Sequence, residues 1–213
     1  MKWLECDVIN ETELEGVGFH TMCGIFKGEP KLASLYHPFD YVEKIRNNIS
    51  CVGLYIFGGK FKNNQSLNNL TVLKFGTKPL KWIPLETQGE KPTPRYSHSM
   101  NHYSDLNLLI IYGGKTDVSI VPKKGSLGEI FSDLWVLNLA NLNWMKVKTN
   151  RIPELDRCSH ATTIFGKNFQ IIDKKSVFLL KLESKLLVFG GYNKKNYVNS
   201  NIFCLELSNL YII

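Results

Sequence analysis

His98 and His102 stand four residues apart, the spacing at which two imidazoles on one helix face can hold a zinc ion. The alternation from Ser97 to Tyr103 reads as a strand instead, where the two rings share a face but find no third ligand. Cys158 with His160, and His20 with Cys23, are the other pairs of metal-binding type, and both lack further ligands at a workable spacing. The five cysteines (Cys6, Cys23, Cys51, Cys158 and Cys204) are odd in number and include no C-x-x-C pair. Neither a disulfide framework nor a four-thiolate zinc site is expected from them, and a reducing compartment is. No phosphate-cradling G-x-x-x-x-G-K, dinucleotide-binding G-x-G-x-x-G or nucleophile elbow occurs. The reading is therefore no catalytic residue, no cofactor and no metal.

Charge narrows the partners. The 213 residues carry 26 Lys plus Arg against 19 Asp plus Glu, a formal +7. Lysine outnumbers arginine 22 to 4, and no basic run exceeds two residues, which describes lysines spread over a solvated surface. The loops offer those lysines without interleaved aromatics, so nucleic acid is not the expected partner. The most apolar stretch, Ser176 to Gly191, is interrupted by Lys181, Glu183 and Lys185, and no membrane span is expected. Glu5 and Asp7 follow Trp3 and Leu4 with no apolar core behind them, which speaks against a secretory signal. These features predict a soluble, cytoplasmic chain.

Internal repetition organises the rest. Three apolar runs end in two glycines: Leu54 to Gly58-Gly59, Leu109 to Gly113-Gly114, and Leu187 to Gly190-Gly191. Upstream of each lies a histidine among small or apolar residues, in Gly18-Phe19-His20-Thr21-Met22, Tyr96-Ser97-His98-Ser99-Met100 and Cys158-Ser159-His160-Ala161-Thr162. Downstream come alternating stretches, Asn69 to Leu73, Asp133 to Leu137 and Asn201 to Leu205. A tryptophan then opens a fourth segment at Trp82 and Trp144, and Trp3 opens a matching one at the amino terminus. Four short apolar stretches per unit, separated by turn residues, are strands; four strands recurring at intervals this long mark propeller blades. Lys27 to Ser50, Lys115 to Phe131 and Gly166 to Lys175 read as inserted loops.

The diglycines, histidines and tryptophans resemble the kelch repeat, and Pro92-Thr93-Pro94-Arg95-Tyr96-Ser97-His98 resembles the repeat start of its diverged, non-BTB members. Trp135, nine residues before Trp144, fits the family's paired aromatics; Phe203 fits as well, and Thr71 departs from them. The resemblance implies an all-β fold, a partial kelch-type β-propeller of about three four-stranded antiparallel blades. Residues 1–9 are expected as the fourth strand of a preceding or closing blade, 17–87 and 94–149 as blades, and 156–213 as an incomplete blade. His20, His98, His160, Gly58, Gly59, Gly113, Gly114, Gly190, Gly191, Trp3, Trp82 and Trp144 are then structural residues of the repeat. Each histidine is expected to hydrogen-bond neighbouring backbone. An iron motif of some kelch enzymes is matched by Glu129 and Asp133, but Leu137 stands where its histidine belongs.

Closed propellers have four to eight blades, so three blades leave two apolar faces to be covered. The cover is expected from the rest of a longer chain, a second copy, or a different propeller fragment. The turns that follow the second strands gather at one end with the segments leading into the first strands. That end collects Lys60, Lys115, Lys123, Lys124, Lys194, Arg95 and Arg157. One reading makes these residues a rim that binds an acidic or phosphorylated protein segment, arginine gripping a carboxylate through two parallel bonds. The other makes each arginine a structural ion pair or a cap on a neighbouring blade's carbonyls. Function is accordingly expected as a non-catalytic protein-interaction scaffold or recognition module. The alternatives are a regulatory propeller within a larger enzyme, such as a kelch-linked phosphatase, and a gene fragment that does not fold alone.

Overall fold

The computed structural model describes residues 8–10, 18–25, 52–61, 65–75, 79–104, 106–117, 128–148, 156–165, 171–173, 176–178, 184–195, 198 and 202–207. Every assigned element among them is a strand. β1 (Val8–Asn10), β2 (Thr21–Ile25), β3 (Gly53–Phe57), β4 (Leu70–Lys74) and β5 (Leu80–Pro84) form one sheet in the order β1-β5-β4-β3-β2. β6 (Ser99–Tyr103), β7 (Leu108–Tyr112), β8 (Leu134–Asn138) and β9 (Asn143–Val147) form a four-stranded meander. β10 (Cys158–Phe165), β13 (Lys185–Tyr192) and β14 (Ile202–Glu206) form a third sheet of three strands. The neighbours β2 to β5, β6 to β9 and β10-β13-β14 are all antiparallel. The architecture is all-β, a run of kelch-type blades each built from its innermost strand outward.

The strands form where β-branched and aromatic residues cluster, and they stop at residues suited to turns. Between β8 and β9 the Asn138 side-chain oxygen accepts from the Ala140 amide at 2.8 Å and that of Asn141 from Asn143 at 3.1 Å, closing the hairpin. The segment expected as a loop from Gly166 to Lys175 contains a strand. β11 (Ile171–Asp173) and β12 (Ser176–Phe178) pair there as a separate antiparallel hairpin, since apolar residues on both sides of a polar turn favour pairing over open coil. Asp117 and Glu129 bracket the loop of the second blade, whose central residues, Lys123 and Lys124 among them, lie outside the described residues.

Trp3 also lies outside them. The described end of the segment expected as a fourth strand, β1, runs parallel to β5, with Ile9 opposite Lys81. Farther along, Gln88 bridges Asn143 of β9, also in parallel. Ile9 follows Trp3 by six residues, as Gln88 follows Trp82. β1 therefore stands to the first blade as the exit from that blade stands to the second.

Two apolar clusters hold the blades together. The first joins Ile25, Tyr55, Phe57, Leu70 and Val72 to Met100, Leu109, Ile111, Trp135, Leu137 and Trp144. The second joins Tyr103, Leu108, Ile110, Tyr112, Leu134 and Val136 to Leu186, Val188 and Leu207. Alternation along each strand thus sends one set of side chains to the preceding blade and the other to the next. Trp144 packs on Phe57 with ring centroids 5.2 Å apart, whereas Trp82 is only half-buried.

Candidate functional site: the diglycine end of the blades

The glycine pairs follow β3 and β7 directly and lie near the end of β13, and all six glycines have positive φ. At Gly113 (φ 64°) a Cβ would lie 2.6 Å from the Arg157 carbonyl oxygen, and at Gly114 2.9 Å from that of Tyr96. A side chain at Gly113 would push away the incoming strand of the next blade, and one at Gly114 the first strand of its own blade. The close approach serves hydrogen bonds across the blade boundary. The Gly59 amide donates to the Arg95 carbonyl at 2.9 Å, and the Gly114 amide to that of Arg157 at 2.7 Å. Nearer the axis, Ser97 donates its amide to Phe19, and Ser159 donates to Ser97. Phe19, Ser97 and Ser159, each directly before a repeat histidine, all adopt positive φ (55°, 53° and 56°).

The arginines belong to this stitching. Arg95 is fully buried and Arg157 is 1% exposed, which removes both from the expected partner-binding rim. Arg95 bonds Asp133 through two nitrogens, at 2.6 and 3.0 Å, donates to the Gly113 carbonyl at 3.0 Å, and stacks on Phe131. Arg157 repeats the geometry, donating to the Gly190 carbonyl at 2.8 Å and stacking on Phe203. In each case the main chain is tied to the diglycine of one blade and the side chain to that of the next. Burial pushes the Asp133 carboxyl up, but the Arg95 guanidinium outweighs it and holds the group below its ordinary range. With the Trp135 indole also donating to Asp133 at 2.7 Å, this carboxylate of the partial iron motif is occupied structurally.

The histidines reach across the same boundaries. Nε2 of His98 lies 2.5 Å from the Thr21 hydroxyl and Nε2 of His160 lies 3.0 Å from the Ser99 hydroxyl. These partners are side chains of the preceding blade, and the expected backbone groups act on the rings as well, at Phe57 for His98 and Tyr112 for His160. Burial, then the Arg95 charge, drives the His98 pKa well below its usual value; burial and Arg157 lower His160 to about 4. Both rings are neutral near pH 7. His20, with no preceding blade among the described residues, is exposed. His102 meets Asn107 at 3.3 Å, and among the described residues no three His, Cys, Asp or Glu side chains form a group able to hold a metal.

Three repeat-equivalent positions follow the diglycines: Lys60, Lys115 and Tyr192. They form a chain along the outer surface of this end. Lys60 pairs with Asp117 at 2.5 Å, Asp117 accepts the Tyr96 hydroxyl at 2.7 Å, and Lys115 donates to the Tyr192 hydroxyl at 2.6 Å. Both ammonium groups lie about the Tyr96 ring, 5.0 and 5.1 Å from its centroid. Burial and the Asp117 bond push the Tyr96 phenol up to about 12. Burial opposes the charge on Lys115, but the Tyr192 hydroxyl outweighs it and the pKa is raised. Lys194 pairs with Asp156 at 3.1 Å. Of the expected rim, Lys60 and Lys194 are thus neutralised by carboxylates, and Lys115 has tyrosines as its described partners. Phe19 stands exposed beside Tyr96, ring centroids 6.0 Å apart. Asp117, Asp156 and Tyr192 were not singled out in the sequence; the repeat position after the diglycine would have found Tyr192.

A family model described as the KLHDC2/KLHL20/DRC7 Kelch-repeats domain matches residues 45–173. The chain belongs to the kelch-repeat family. It is 27% identical over 157 residues to Tip elongation aberrant protein 1 of Schizosaccharomyces pombe, covering 74% of this chain and 11% of that protein. Host cell factor of Drosophila melanogaster is 30% identical over 169 residues, 70% of this chain and 9% of its own length. Acyl-CoA-binding domain-containing protein 5 of Arabidopsis thaliana is 31% identical over 134 residues, 61% of this chain and 19% of that protein. The kelch chain thus spans a fifth or less of these relatives. Among solved structures, a chain in the cryo-EM structure of RAG with one melted and one unmelted RSS superposes with a TM-score of 0.56 at 11% identity, covering 90% of this chain and 52% of that one. YjhT gives 0.54 at 13% identity, covering 94% and 46%. At such identities these two likenesses concern the fold.

Proposed function

We propose that this kelch segment is a non-catalytic protein-recognition module whose contact surface is the diglycine end, centred on Phe19, Lys115 and Tyr192, with Tyr96 buried beneath them. The observation that carries the reading is the state of Lys115. Its ammonium is fixed between two tyrosines, keeps its charge, and is paired with no carboxylate among the described residues. A positioned cation on a surface that also exposes the Phe19 ring, which stands against Tyr96, suits a protein segment that offers a carboxylate or phosphate and an apolar side chain. Arg95 and Arg157 support the surface from within by locking the blades. The chain's small share of its relatives' lengths favours a module within a larger protein. The proposal includes a cytoplasmic setting, in keeping with the free thiols of Cys23, Cys158 and Cys204.

An array of acidic, phosphorylated and neutral peptides probed with the purified chain tests this. Binding should favour the acidic and phosphorylated members, weaken as salt rises, and fall in Lys115→Met and Phe19→Ala with the melting temperature nearly unchanged. Binding that ignores peptide charge, salt and both substitutions would exclude this surface.

A further inference from the structure

The third blade presents an apolar face to solvent. Ala161, Thr163 and Phe165 of β10 lie opposite Phe189, Leu187 and Lys185 of β13, which in turn face Ile202, Cys204 and Glu206 of β14. Direct antiparallel partners share a face, so these nine side chains form one surface. Phe165, Phe189, Cys204 and Ile202 on it are exposed. The repeat identifies what this surface is. Phe57, Tyr112 and Phe189 each precede a diglycine, and each pairs with the residue after a repeat histidine, Thr21, Ser99 and Ala161 respectively. Phe57 is 0% exposed and Tyr112 5%, because the next blade covers them; Phe189 is 53% exposed.

We infer that this face is an interblade interface for a fourth kelch blade, and that the blade it fits lacks the repeat histidine. The inference rests on the kelch architecture and is independent of the proposed peptide surface. Its first part follows from continuity: the face repeats the geometry of two occupied ones, so its partner is the leading face of another blade, with aliphatic and aromatic residues where Met100, Leu109, Ile111 and Trp144 stand. The second part follows from one residue. Thr21 and Ser99 supply the hydroxyls that receive His98 and His160. Ala161 occupies that position on the third blade and supplies only a methyl group. A buried imidazole arriving there would leave Nε2 without its partner, whereas an apolar side chain would rest on Ala161 and Phe189. A second copy of this chain is disfavoured as the occupant. Ile56, Thr71 and Leu73 of its first blade, the counterparts of Ile111, Trp135 and Leu137, are already buried.

Cys204 reports occupancy directly. The test compares the chain as it stands with a chain extended after Ile213 by a second copy of residues 94–148, reading N-ethylmaleimide labelling of Cys204 by mass spectrometry. The unextended chain should sediment as a monomer and label rapidly; the extended chain should label about tenfold more slowly, as expected when a surface thiol becomes accessible only through local opening. Replacing His98→Leu in the appended copy should slow labelling further, and Ala161→Ser should reverse that preference. Equal labelling with and without the extra blade, or a His/Leu order that Ala161→Ser leaves untouched, would overturn the inference. A dimer that shields Cys204 in the unextended chain would assign the face to a second copy and overturn it as well. Should the extended chain not fold, Phe189→Asp in the unextended chain decides: an unchanged melting temperature fits an open face, and a large drop shows that the chain already covers it.

Discussion

The contact between the first and second blades and the contact between the second and third use the same polar parts with different apolar ones. Both have an arginine stacked on an aromatic ring and bonded to a diglycine carbonyl, and both have a histidine reaching a hydroxyl of the preceding blade. Both set the residue before the diglycine edge-on to the incoming histidine, Phe57 to His98 at 5.5 Å and Tyr112 to His160 at 5.3 Å, and the first adds Trp144 against Phe57 at 5.2 Å. The second also adds a polar pair: the Thr162 hydroxyl bonds the Asn101 side chain, whose amide returns to the Thr162 carbonyl at 3.2 Å. The first contact is accordingly the drier, and its histidine is the more deeply buried of the two. The difference teaches that the stitching fixes how successive blades meet, while the apolar filling can change from one boundary to the next.

The largest effect should come from the apolar filling. Phe57→Ala should cost about 3–5 kcal/mol in urea unfolding, while Phe189→Ala, at the equivalent but uncovered place, should change stability by less than about 0.5 kcal/mol. Similar losses at the two positions would erase the distinction between occupied and open faces. Next comes cutting a stitch: Arg95→Met leaves the half-buried Asp133 carboxylate beside an apolar chain and should cost about 3 kcal/mol in urea unfolding. If the loss stays below about 1 kcal/mol, the charge is solvated and the arginine does not hold the boundary.

Acid separates the contacts further. His160 titrates near 4 in the folded chain against an ordinary 6.5, so the unfolded chain takes up its proton first. The associated stability is complete above pH 6.5 and is lost as pH falls toward 4, by about 3 kcal/mol. His160→Gln should remove its share of that loss, leaving the shares of His98 and His102, whose pKa values burial also lowers, and the loss at lower pH where Asp133 and Asp117 protonate. A curve of unchanged shape would mean that His160 is solvated. A smaller loss than at the stitched residues belongs to a single hydroxyl: Thr21→Val should cost about 1 kcal/mol, removing the hydroxyl partner of His98 while leaving Phe57 packing intact.

The blades were legible because their signals are local. A diglycine after an apolar run, a histidine among small residues and a tryptophan opening the last strand each report a backbone or packing need of one short segment. Arg95 and Arg157 were legible as repeat positions but not as buried residues. Polar residues at turns look solvent-facing until Phe131, Phe203 and the diglycine carbonyls of their own blades close over them, and that closure joins segments tens of residues apart. The same distance hid Thr21 and Ser99 as hydroxyl partners, although each adjoins a histidine in the sequence. Asp117 sits beyond a loop and meets Lys60 and Tyr96 through tertiary structure alone.

The central claim is that the repeats stack as successive blades joined through the diglycine end. Residue-resolved amide hydrogen exchange by NMR tests it most directly, at Gly59, Ser97, Gly114 and Ser159, whose amides all donate across blade boundaries. The account predicts that these four are protected to a similar extent, and that Arg95→Met releases Gly59 and Ser97 before Gly114 and Ser159. Fast exchange at all four in the unmodified chain, with the strand amides still protected, would show blades that form singly without this junction and would contradict the account.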